Sequence, residues 1–359
     1  MKSQQRIAVL CNYALDADRV GGMDYFFWNF DEICKANAIR VDWFFPNKLA
    51  HGGYKNMTIY ASNQVNVENY FVKNSLQNKS EYSYIITHFV ELCTHVFKEI
   101  KQKSNAKIIC VDHNPRPING YTFKKKIAKK IKGFLYAKYI DLFVGVSNYT
   151  SNEIMKDFGA HLKSKTITIY NGVVIDEILV RKERNFQNPT FLVASHLRES
   201  KGIQDLIAAV DLLPKNLKSK IKVDVYGDGP YKATLLALIK KYELEPQITF
   251  KGSVSNLNSI YYLYDYMLQP THMECFSLSI LESLAANVPV ITTNVGGNEE
   301  AIQHTKNGFI FKAGNIQELC TILENIVTAE MKITTATRNL IETSFSLNEM
   351  VKNHFKLVQ

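Results

Sequence analysis

The feature that most constrains the fold of this chain is the alternation of short apolar runs with segments whose apolar residues recur every three to four positions. The short runs are typical of buried strands, and the three-to-four spacing is typical of helices with one apolar face. Such alternation predicts parallel sheets with helices packed on their faces. The predicted strands fall into two series, residues 6–11, 39–45, 84–88, 107–111, 141–146 and 166–170, then residues 190–195, 222–227, 247–252, 266–270, 288–293 and 309–312.

A polar, charged segment, RKERNFQNP at residues 181–189, separates the two series. The chain has 359 residues, more than one hydrophobic core usually supports, so each series is predicted to form its own domain. We expect an N-terminal α/β domain over 1–177, a linker over 178–189 and a second α/β domain over 190–344. A terminal helix within 345–359 is expected to return toward the first domain. Ligands of open parallel sheets bind outside the carboxyl ends of the strands, so a cleft lined by the loops that follow the strands is the expected site.

Hydropathy and cysteine spacing exclude several classes of protein. No run approaches the roughly 18 apolar residues of a membrane span, and the N-terminus is typical of a first strand, not of a secretory signal. The six cysteines are scattered and contain no CxxC pair, which indicates free thiols rather than a zinc site or a disulfide framework. Free buried thiols are typical of a reducing compartment, so we expect a cytoplasmic protein.

The net charge of +9 comes from one region of the chain. Residues 101–150 hold 11 Lys and Arg against 2 Asp and Glu, and the other residues balance. Within that region KKKIAKKIKGFLYAKY, residues 124–139, sets seven lysines among apolar residues at helical spacing. A surface helix that packs its apolar stripe on the sheet is one interpretation. The density of charge from Lys124 to Lys138 also indicates an anionic membrane surface as a partner, whereas no motif supports nucleic acid.

Two glutamates, Glu274 and Glu282, flank a predicted helix start in ECFSLSILESLAANVPVITT, where Ser277 or Ser279 can serve as N-cap. A helix N-terminus presents free N–H groups and the positive end of the helix dipole, which suits a phosphate. A carboxylate nearby can accept hydrogen bonds from both hydroxyls of a ribose. Glu282 in that role and Glu274 on a second hydroxyl-rich group would together hold a nucleotide sugar. The alternative is a helix-stabilising acid and a solvated loop acid.

The order of motifs E-x7-E, A-x-x-x-P-V-I-x-T and G-G-x-x-E, which ends at Glu300, resembles that of retaining glycosyltransferases of the two-domain GT-B architecture. The similar family is the group 1, family 4-like one, which includes glycogen-synthase-like and bacterial polysaccharide enzymes. The resemblance is strongest over 190–312 and covers most of the chain. It implies two doubly wound Rossmann-like domains facing each other across a cleft. It also implies that a hexose-type sugar moves from a nucleoside diphosphate, UDP in preference to GDP, with no metal or other cofactor.

The resemblance further implies a glycan or lipid-linked acceptor in the assembly of a capsule, lipopolysaccharide or exopolysaccharide, and it assigns residues. Lys201 would grip the diphosphate, His113 would approach the transferred sugar, and Glu274 would orient the sugar hydroxyls. Glu282 would hold the ribose. His196 stands where the family has an arginine, and Arg198 is a candidate to replace it. The remaining donor-binding positions are the glycines of four loops and the backbone at the helix start: Gly21, Gly22, Gly227, Gly252, Phe276, Ser277 and Leu278.

Two alternative functions remain open. A GT-B nucleotide-sugar epimerase shares the cleft but lacks the E-x7-E loop. A non-catalytic subunit that binds nucleotide sugar is favoured by the change at His196 and disfavoured by Glu274, Glu282 and Lys201.

The DAD motif at Asp16 and Asp18 imitates the D-x-D of metal-dependent, single-domain glycosyltransferases. It lies in the first loop, where that fold places no metal ligands, so we expect two solvated acids and no metal site.

Overall fold

The computed structural model describes residues 5–63, 66–76 and 82–359. The chain folds into two compact units, of which the first is Met1–Asn171 with Leu347–Gln359 and the second is Gly172–Ser346. Both units contain a parallel sheet with helices, as the alternating pattern predicts. Within the described ranges, no helix has both the length and the apolar character that crossing a bilayer requires.

The first unit contains a seven-stranded parallel sheet in the order β3-β2-β1-β4-β5-β6-β7. Its strands are β1 (Arg6–Cys11), β2 (Arg40–Phe45), β3 (Thr58–Ala61), β4 (Tyr84–His88), β5 (Lys107–Asp112), β6 (Leu142–Gly145) and β7 (Thr166–Thr168). Its helices are α1 (Gly22–Ala36), α2 (Val67–Asn74), α3 (His95–Lys103), α4 (Phe123–Tyr136), α5 (Asn148–Phe158) and, from the end of the chain, α13 (Leu347–Phe355). Residues 7–11 of the central strand β1 are fully buried, because helices cover both faces of the sheet.

The second unit contains a six-stranded parallel sheet in the order β10-β9-β8-β11-β12-β13. Its strands are β8 (Phe191–Ala194), β9 (Val223–Tyr226), β10 (Ile248–Gly252), β11 (Tyr266–Gln269), β12 (Val290–Thr293) and β13 (Gly308–Phe311). Its helices are α6 (Ile203–Leu212), α7 (Lys215–Lys218), α8 (Lys232–Lys241), α9 (Leu278–Ala285), α10 (Asn298–Ala301), α11 (Ile316–Val327) and α12 (Arg338–Ser344). In both sheets the strand order reverses beside the first strand of the unit, which is the doubly wound arrangement.

All twelve predicted strands are present, with boundaries within two residues of the prediction. The sequence prediction missed β3, a four-residue edge strand in which only Ile59 is buried. Such a strand carries too few apolar residues to produce a periodic signal.

Two segments near the boundary between the units and at the end of the chain have a clear place in the fold. Residues 178–189, expected to link the domains, lie in the second unit, where Arg181 pairs with the buried Asp265 and Arg184 bonds the carbonyl of Asn287. The terminal helix α13 belongs to the first unit, where the rings of His354 and Phe26 are 4.8 Å apart between centroids.

The lysine-rich helix α4 corrects the interpretation that its apolar stripe packs on the sheet. Its buried residue is Gly133, which lies against the backbone of Phe158. The apolar stripe is exposed instead, and it consists of Phe123, Ile127, Ile131, Phe134 and Leu135. Because a Cβ on Gly133 would lie 2.0 Å from the carbonyl oxygen of Phe158, the helix approaches α5 through its glycine and not through its large apolar side chains.

Candidate functional site

The second sheet reverses its strand order between β8 and β11, which are neighbours in the sheet but not in the chain. The crevice beyond the carboxyl ends of two such strands is where open α/β sheets bind ligands. The loop after β8 carries His196, Arg198 and Lys201, and the loop after β11 carries Glu274 and leads into α9. The topology therefore brings the predicted donor-binding residues of the second unit to one sheet edge.

The two loops are in direct contact. The Nζ atom of Lys201 lies 2.9 Å from Oε2 of Glu274, and both side chains are largely buried. The backbone N–H of His272 donates to the carbonyl of Ser200. Gly202 has a φ of +70°, and a Cβ there would lie 1.7 Å from the carbonyl oxygen of Pro270. The ion pair is thus set on a backbone framework that only glycine permits, and Lys201 keeps two N–H donors for a ligand.

The double glycine after β12 holds the same loop from the other side. Gly296 has a φ of +65°, and a Cβ there would lie 2.1 Å from the carbonyl oxygen of Glu274. The N–H of Gly297 donates to the carbonyl of Cys275. The G-G of the G-G-x-x-E motif therefore fixes the backbone at Glu274, which orients that carboxylate.

The helix α9 begins where the sequence predicts, with Ser277 as its N-cap. The Ser277 hydroxyl accepts from the N–H of Ile280 and from Nε2 of the buried Gln269. Phe276 is buried against the ring of Phe345, and Leu278 is the first helical residue. A helix start with a fixed cap presents N–H donors without intrahelical acceptors, as anion binding at a helix end requires.

Glu282 lies in the second turn of α9 and accepts a 2.8 Å hydrogen bond from the hydroxyl of Tyr261. Burial raises the pKa of Glu282 to about 7, and the Tyr261 hydrogen bond opposes that rise only in part. Tyr261 is fully buried, and desolvation together with the charge of Glu282 raises its pKa. Tyr261 therefore remains a hydroxyl donor, which leaves the other carboxylate oxygen of Glu282 available to a ligand.

The other predicted positions of the second unit differ in character. His196 and Arg198 are exposed polar residues on the loop after β8, and the buried Leu197 lies between them. Gly227 has a φ of +126°, and a Cβ there would lie 1.9 Å from the carbonyl oxygen of Ser195, so packing alone requires this glycine. Gly252 has a φ of +78°, and nothing lies within 4 Å of its Cβ position. The positive φ favours glycine at position 252, and the missing side chain leaves open space beside the backbone.

In the first unit, Gly21 and Gly22 begin α1 after the loop that follows β1. The buried carboxylate of Asp24 accepts three hydrogen bonds, from the N–H of Gly21 and from the hydroxyls of Tyr13 and Tyr54. A Cβ on Gly21 would meet nothing within 4 Å, and its φ of −144° suits any residue. The fold itself does not require glycine at position 21. The close approach of a ligand to the backbone would explain why this position has no side chain.

The acids of the DAD motif are exposed, and the N–H of Asp18 donates to the carboxylate of Asp16. Among the described residues no three His, Cys, Asp or Glu side chains gather in a way that could hold a metal ion. The six cysteines are all buried and free.

His113 follows β5 and is one of three neighbouring histidines. Its Nε2 lies 3.0 Å from Nδ1 of His88, and its ring stacks on Phe89 with centroids 4.2 Å apart. Burial lowers the pKa of His113 to about 3 and, with the neighbouring histidines, lowers that of His88. His354 of α13 is also buried, with a pKa lowered to about 4, and its Nδ1–H donates to the carbonyl of Met350. All three rings are therefore neutral near pH 7.

The structure thus gathers His196, Arg198, Lys201, Glu274, Glu282 and the start of α9 at one edge of the second sheet. It places Gly21, Gly22 and His113 at the carboxyl ends of strands in the first unit. Sequence reasoning missed two partners, Tyr261 and His88. Tyr261 lies in YYLYDY, where no spacing distinguishes it from its neighbours, whereas His88 ends a predicted strand and could have been singled out by position.

Comparisons with known proteins point to one family. Residues 174–342 match the family model described as glycosyl transferases group 1. The N-acetyl-alpha-D-glucosaminyl L-malate synthase of Bacillus anthracis is 27% identical over 248 residues, which are 60% of this chain and 64% of that protein. For the first three curated relatives, the chain spans between 36% and 64% of their length.

Similar solved structures cover nearly the whole chain. Anabaena HepE in complex with UDP-glucose superimposes with a TM-score of 0.77 at 17% identity, covering 98% of this chain and 99% of that one. The lipopolysaccharide outer core galactosyltransferase WaaB superimposes with a TM-score of 0.74 at 18% identity and covers 99% of each chain. At these identities the likeness concerns the fold.

Proposed function

We propose that the protein transfers a sugar from a nucleoside diphosphate to an acceptor hydroxyl, a proposal supported by its GT-B fold and by the match of residues 174–342 to the group 1 glycosyl transferase model. The observation that carries the proposal is the contact of Lys201 with Glu274 at the strand-order reversal, beside the capped start of α9. Cation, carboxylate and helix start are the groups that a diphosphate and a hydroxyl-rich sugar need.

The donor is held in three parts. The diphosphate lies against the start of α9 at Phe276, Ser277 and Leu278, and receives N–H donors from Lys201 and from Arg198 or His196. The free oxygen of Glu282 accepts from the ribose, and Glu274 accepts from the hexose hydroxyls. Gly252 and, in the first unit, Gly21 leave open space beside the backbone.

The reaction proceeds with retention of configuration. The bond between the anomeric carbon and the β-phosphate oxygen breaks, and the acceptor oxygen forms its new bond to that carbon on the same face. The departing phosphate takes the proton of the acceptor hydroxyl, so atoms and charge balance without a covalent enzyme adduct. Fixed donors at Lys201 and α9 stabilise the charge that develops on the leaving oxygens. In this scheme the charge is neutralised without a metal.

The donor base and the acceptor belong to the same proposal. A UDP-sugar is favoured over a GDP-sugar, a preference supported by the likeness to HepE, which was solved with UDP-glucose. The acceptor is a glycan or lipid-linked glycan of a cell-surface polysaccharide, in line with the likeness to WaaB of the lipopolysaccharide outer core. The protein acts on the cytoplasmic side, where nucleotide sugars are available and six free thiols remain reduced.

The test begins with binding. The full-length protein is screened by thermal shift against UDP-, GDP- and ADP-sugars, and the sugar that stabilises it most is then followed by NMR for slow hydrolysis. We expect stabilisation by a UDP-sugar and release of a free sugar whose first-formed anomer matches the donor. An inverted anomer would overturn retention, and no stabilisation by any nucleotide sugar would overturn the donor site.

A second candidate is a non-catalytic subunit that binds the nucleotide sugar, because exposed His196 replaces the arginine that the family provides. Binding without any hydrolysis would favour this candidate. Epimerisation of the sugar, detected in the same NMR spectra, would favour the epimerase.

A further inference from the structure

We infer that α4 lies in the surface of an anionic lipid bilayer and inserts an apolar ridge into it. The apolar ridge consists of Phe123, Ile127, Ile131, Phe134 and Leu135. These side chains recur at spacings of one to four residues, so they project from one side of the helix. Phe123 is 77% exposed and Phe134 is 80% exposed, values that are unusual for large aromatic side chains of a globular unit.

The ridge faces away from the rest of the first unit. The opposite side of α4 carries Gly133, which contacts the backbone of Phe158, and Lys129, which pairs with Asp157 at 3.0 Å. Lys132 on the same side pairs with Glu91. The packed side of the helix therefore presents Gly133, Lys129 and the half-buried Tyr136, whereas its Phe, Ile and Leu side chains are exposed, which is the reverse of the usual arrangement for a surface helix.

The charges around the ridge identify the partner. The ammonium groups of Lys124, Lys126 and Lys130 make no hydrogen bond or ion pair with any described residue. The helix contains no acidic residue that would neutralise them. A helix with exposed apolar side chains between unpaired lysines matches the boundary between anionic headgroups and acyl chains, where each group finds its own environment.

The experiment measures co-sedimentation of the full-length protein with vesicles of equal parts phosphatidylglycerol and phosphatidylcholine, and with phosphatidylcholine alone. We expect binding to the anionic vesicles, weakened by salt. The ridge variant Phe123→Ser with Phe134→Ser and the charge variant Lys124→Gln, Lys126→Gln and Lys130→Gln should each lower the partition coefficient about tenfold or more. Matched controls are Leu212→Ser with Leu236→Ser, and Lys215→Gln with Lys220→Gln and Lys240→Gln, exposed positions of the second unit that should not change it.

Insertion has its own readout. In the variant Phe134→Trp the new indole should shift its emission to shorter wavelength on addition of anionic vesicles, relative to the wild-type signal. Loss of binding in the charge variant but not in the ridge variant would overturn insertion. Lipid-free dimerisation that the ridge variant abolishes would overturn the bilayer in favour of a second copy of the chain.

A second inference concerns the first unit and rests on the proposed function. We infer that His88 is a positioning residue that fixes the ring orientation and the tautomer of His113. The contact between Nδ1 of His88 and Nε2 of His113 is 3.0 Å long, and one proton occupies it. Both rings are neutral, so each carries one N–H. If Nε2 of His113 donates, its Nδ1 carries no proton, and if Nε2 accepts, its Nδ1 carries the proton, so this contact sets the tautomer of His113.

The surroundings restrict His88 itself. It ends β4, is 2% exposed, and packs against the rings of Phe26 and Phe27. Phe89 stacks on His113 from the next position of the chain. A buried ring clamped by aromatic side chains holds its partner in one orientation, which a mobile surface residue would not do.

The test separates this role from folding and from the donor site. His88→Phe should lower kcat about tenfold or more while the donor KM stays nearly constant, and His88→Asn should restore most of kcat. The ¹⁵N spectrum of the His113 ring should show one tautomer in the wild type and a mixture in His88→Phe, with His95→Phe as the control. Full kcat in His88→Phe alongside loss in His113→Ala would sink this inference alone. Full kcat in His113→Ala would remove the catalytic role of His113 and leave the donor site to be judged by its own variants.

Discussion

The Nζ atom of Lys201 lies 2.9 Å from Oε2 of Glu274, although the two residues are 73 positions apart in the chain. The pair joins the loops that follow two neighbouring strands, so each charge holds the other before any donor binds. Such prior orientation removes the cost of ordering a flexible lysine during binding. The ion pair therefore stabilises the two loops and also contributes to ligand recognition. Variants can separate these two roles.

Replacement of Lys201 by alanine should lower kcat by about 100-fold to 1,000-fold, because a fixed donor to the leaving phosphate is lost. The matched control is Lys218→Ala, which breaks the 2.8 Å ion pair with Asp211 at similar exposure. The control should change the free energy of unfolding by about 1 kcal/mol at most and leave turnover intact. Steady-state kinetics and urea denaturation measure both effects. Wild-type turnover in Lys201→Ala would reject the donor site.

Glu282→Gln should stabilise the protein at pH 8 but not at pH 4.5. The folded pKa of Glu282 is about 7, above its value in the unfolded chain, so the folded state binds more protons between those values. The free energy of unfolding of the wild type therefore falls as pH rises from about 4.5 to about 7, by up to about 3 kcal/mol from this group. Urea denaturation at both pH values tests this, with Glu245→Gln as an exposed control. Equal effects of Glu282→Gln at both pH values would contradict a raised pKa.

The same carboxyl group predicts the pH dependence of donor binding. Ionised Glu282 accepts from the ribose hydroxyls, whereas its protonated form has lost acceptor capacity. The affinity for UDP, measured by calorimetry, should therefore rise with pH through about 7 in the wild type. It should be weaker and nearly independent of pH in Glu282→Gln. An affinity that falls with rising pH would remove Glu282 from the ribose.

Alanine at Gly21 and at Gly227 should give opposite results. Open space surrounds the Cβ position of Gly21, so Gly21→Ala should fold normally but lose turnover if a ligand approaches there. At Gly227 the added Cβ meets the carbonyl oxygen of Ser195 at 1.9 Å in a φ of +126°, which should destabilise the fold by about 2 kcal/mol or more. Thermal melting and turnover of both variants provide the comparison. Full turnover in Gly21→Ala would show that no ligand lies against that backbone.

Arg198→Ala should weaken UDP binding more than His196→Ala does. A guanidinium is always charged and can hold a phosphate with two parallel N–H groups, which an imidazole cannot do. We expect about a tenfold loss of affinity for Arg198→Ala, with a smaller salt dependence than that of the wild type. The opposite ranking would assign the position of the family arginine to His196.

Sequence periodicity predicted the strands because a buried parallel strand needs a continuous apolar run, as in the fully buried residues 7–11. The residues before the helix likewise predicted a serine cap at Ser277 or Ser279, of which the structure uses Ser277. The position of His88 at the end of a strand could have singled it out, but neither its contact with His113 nor the Tyr261–Glu282 contact could be predicted, since each depends on a side-chain approach across the fold that no local pattern encodes. The exposed stripe of α4 escaped prediction for a related reason: periodicity reveals that a helix has an apolar face but not what covers it.

The helix α13 completes the first unit from the far end of the chain, and this order of assembly has a consequence during translation. Residues 1–171 leave the ribosome before Leu347 is made, so Phe26 contacts the ring of His354 only after the second unit has been synthesised. We expect the part of Phe26 that α13 covers to stay exposed until then. The second unit, Gly172–Ser346, is continuous in sequence and can close on its own first.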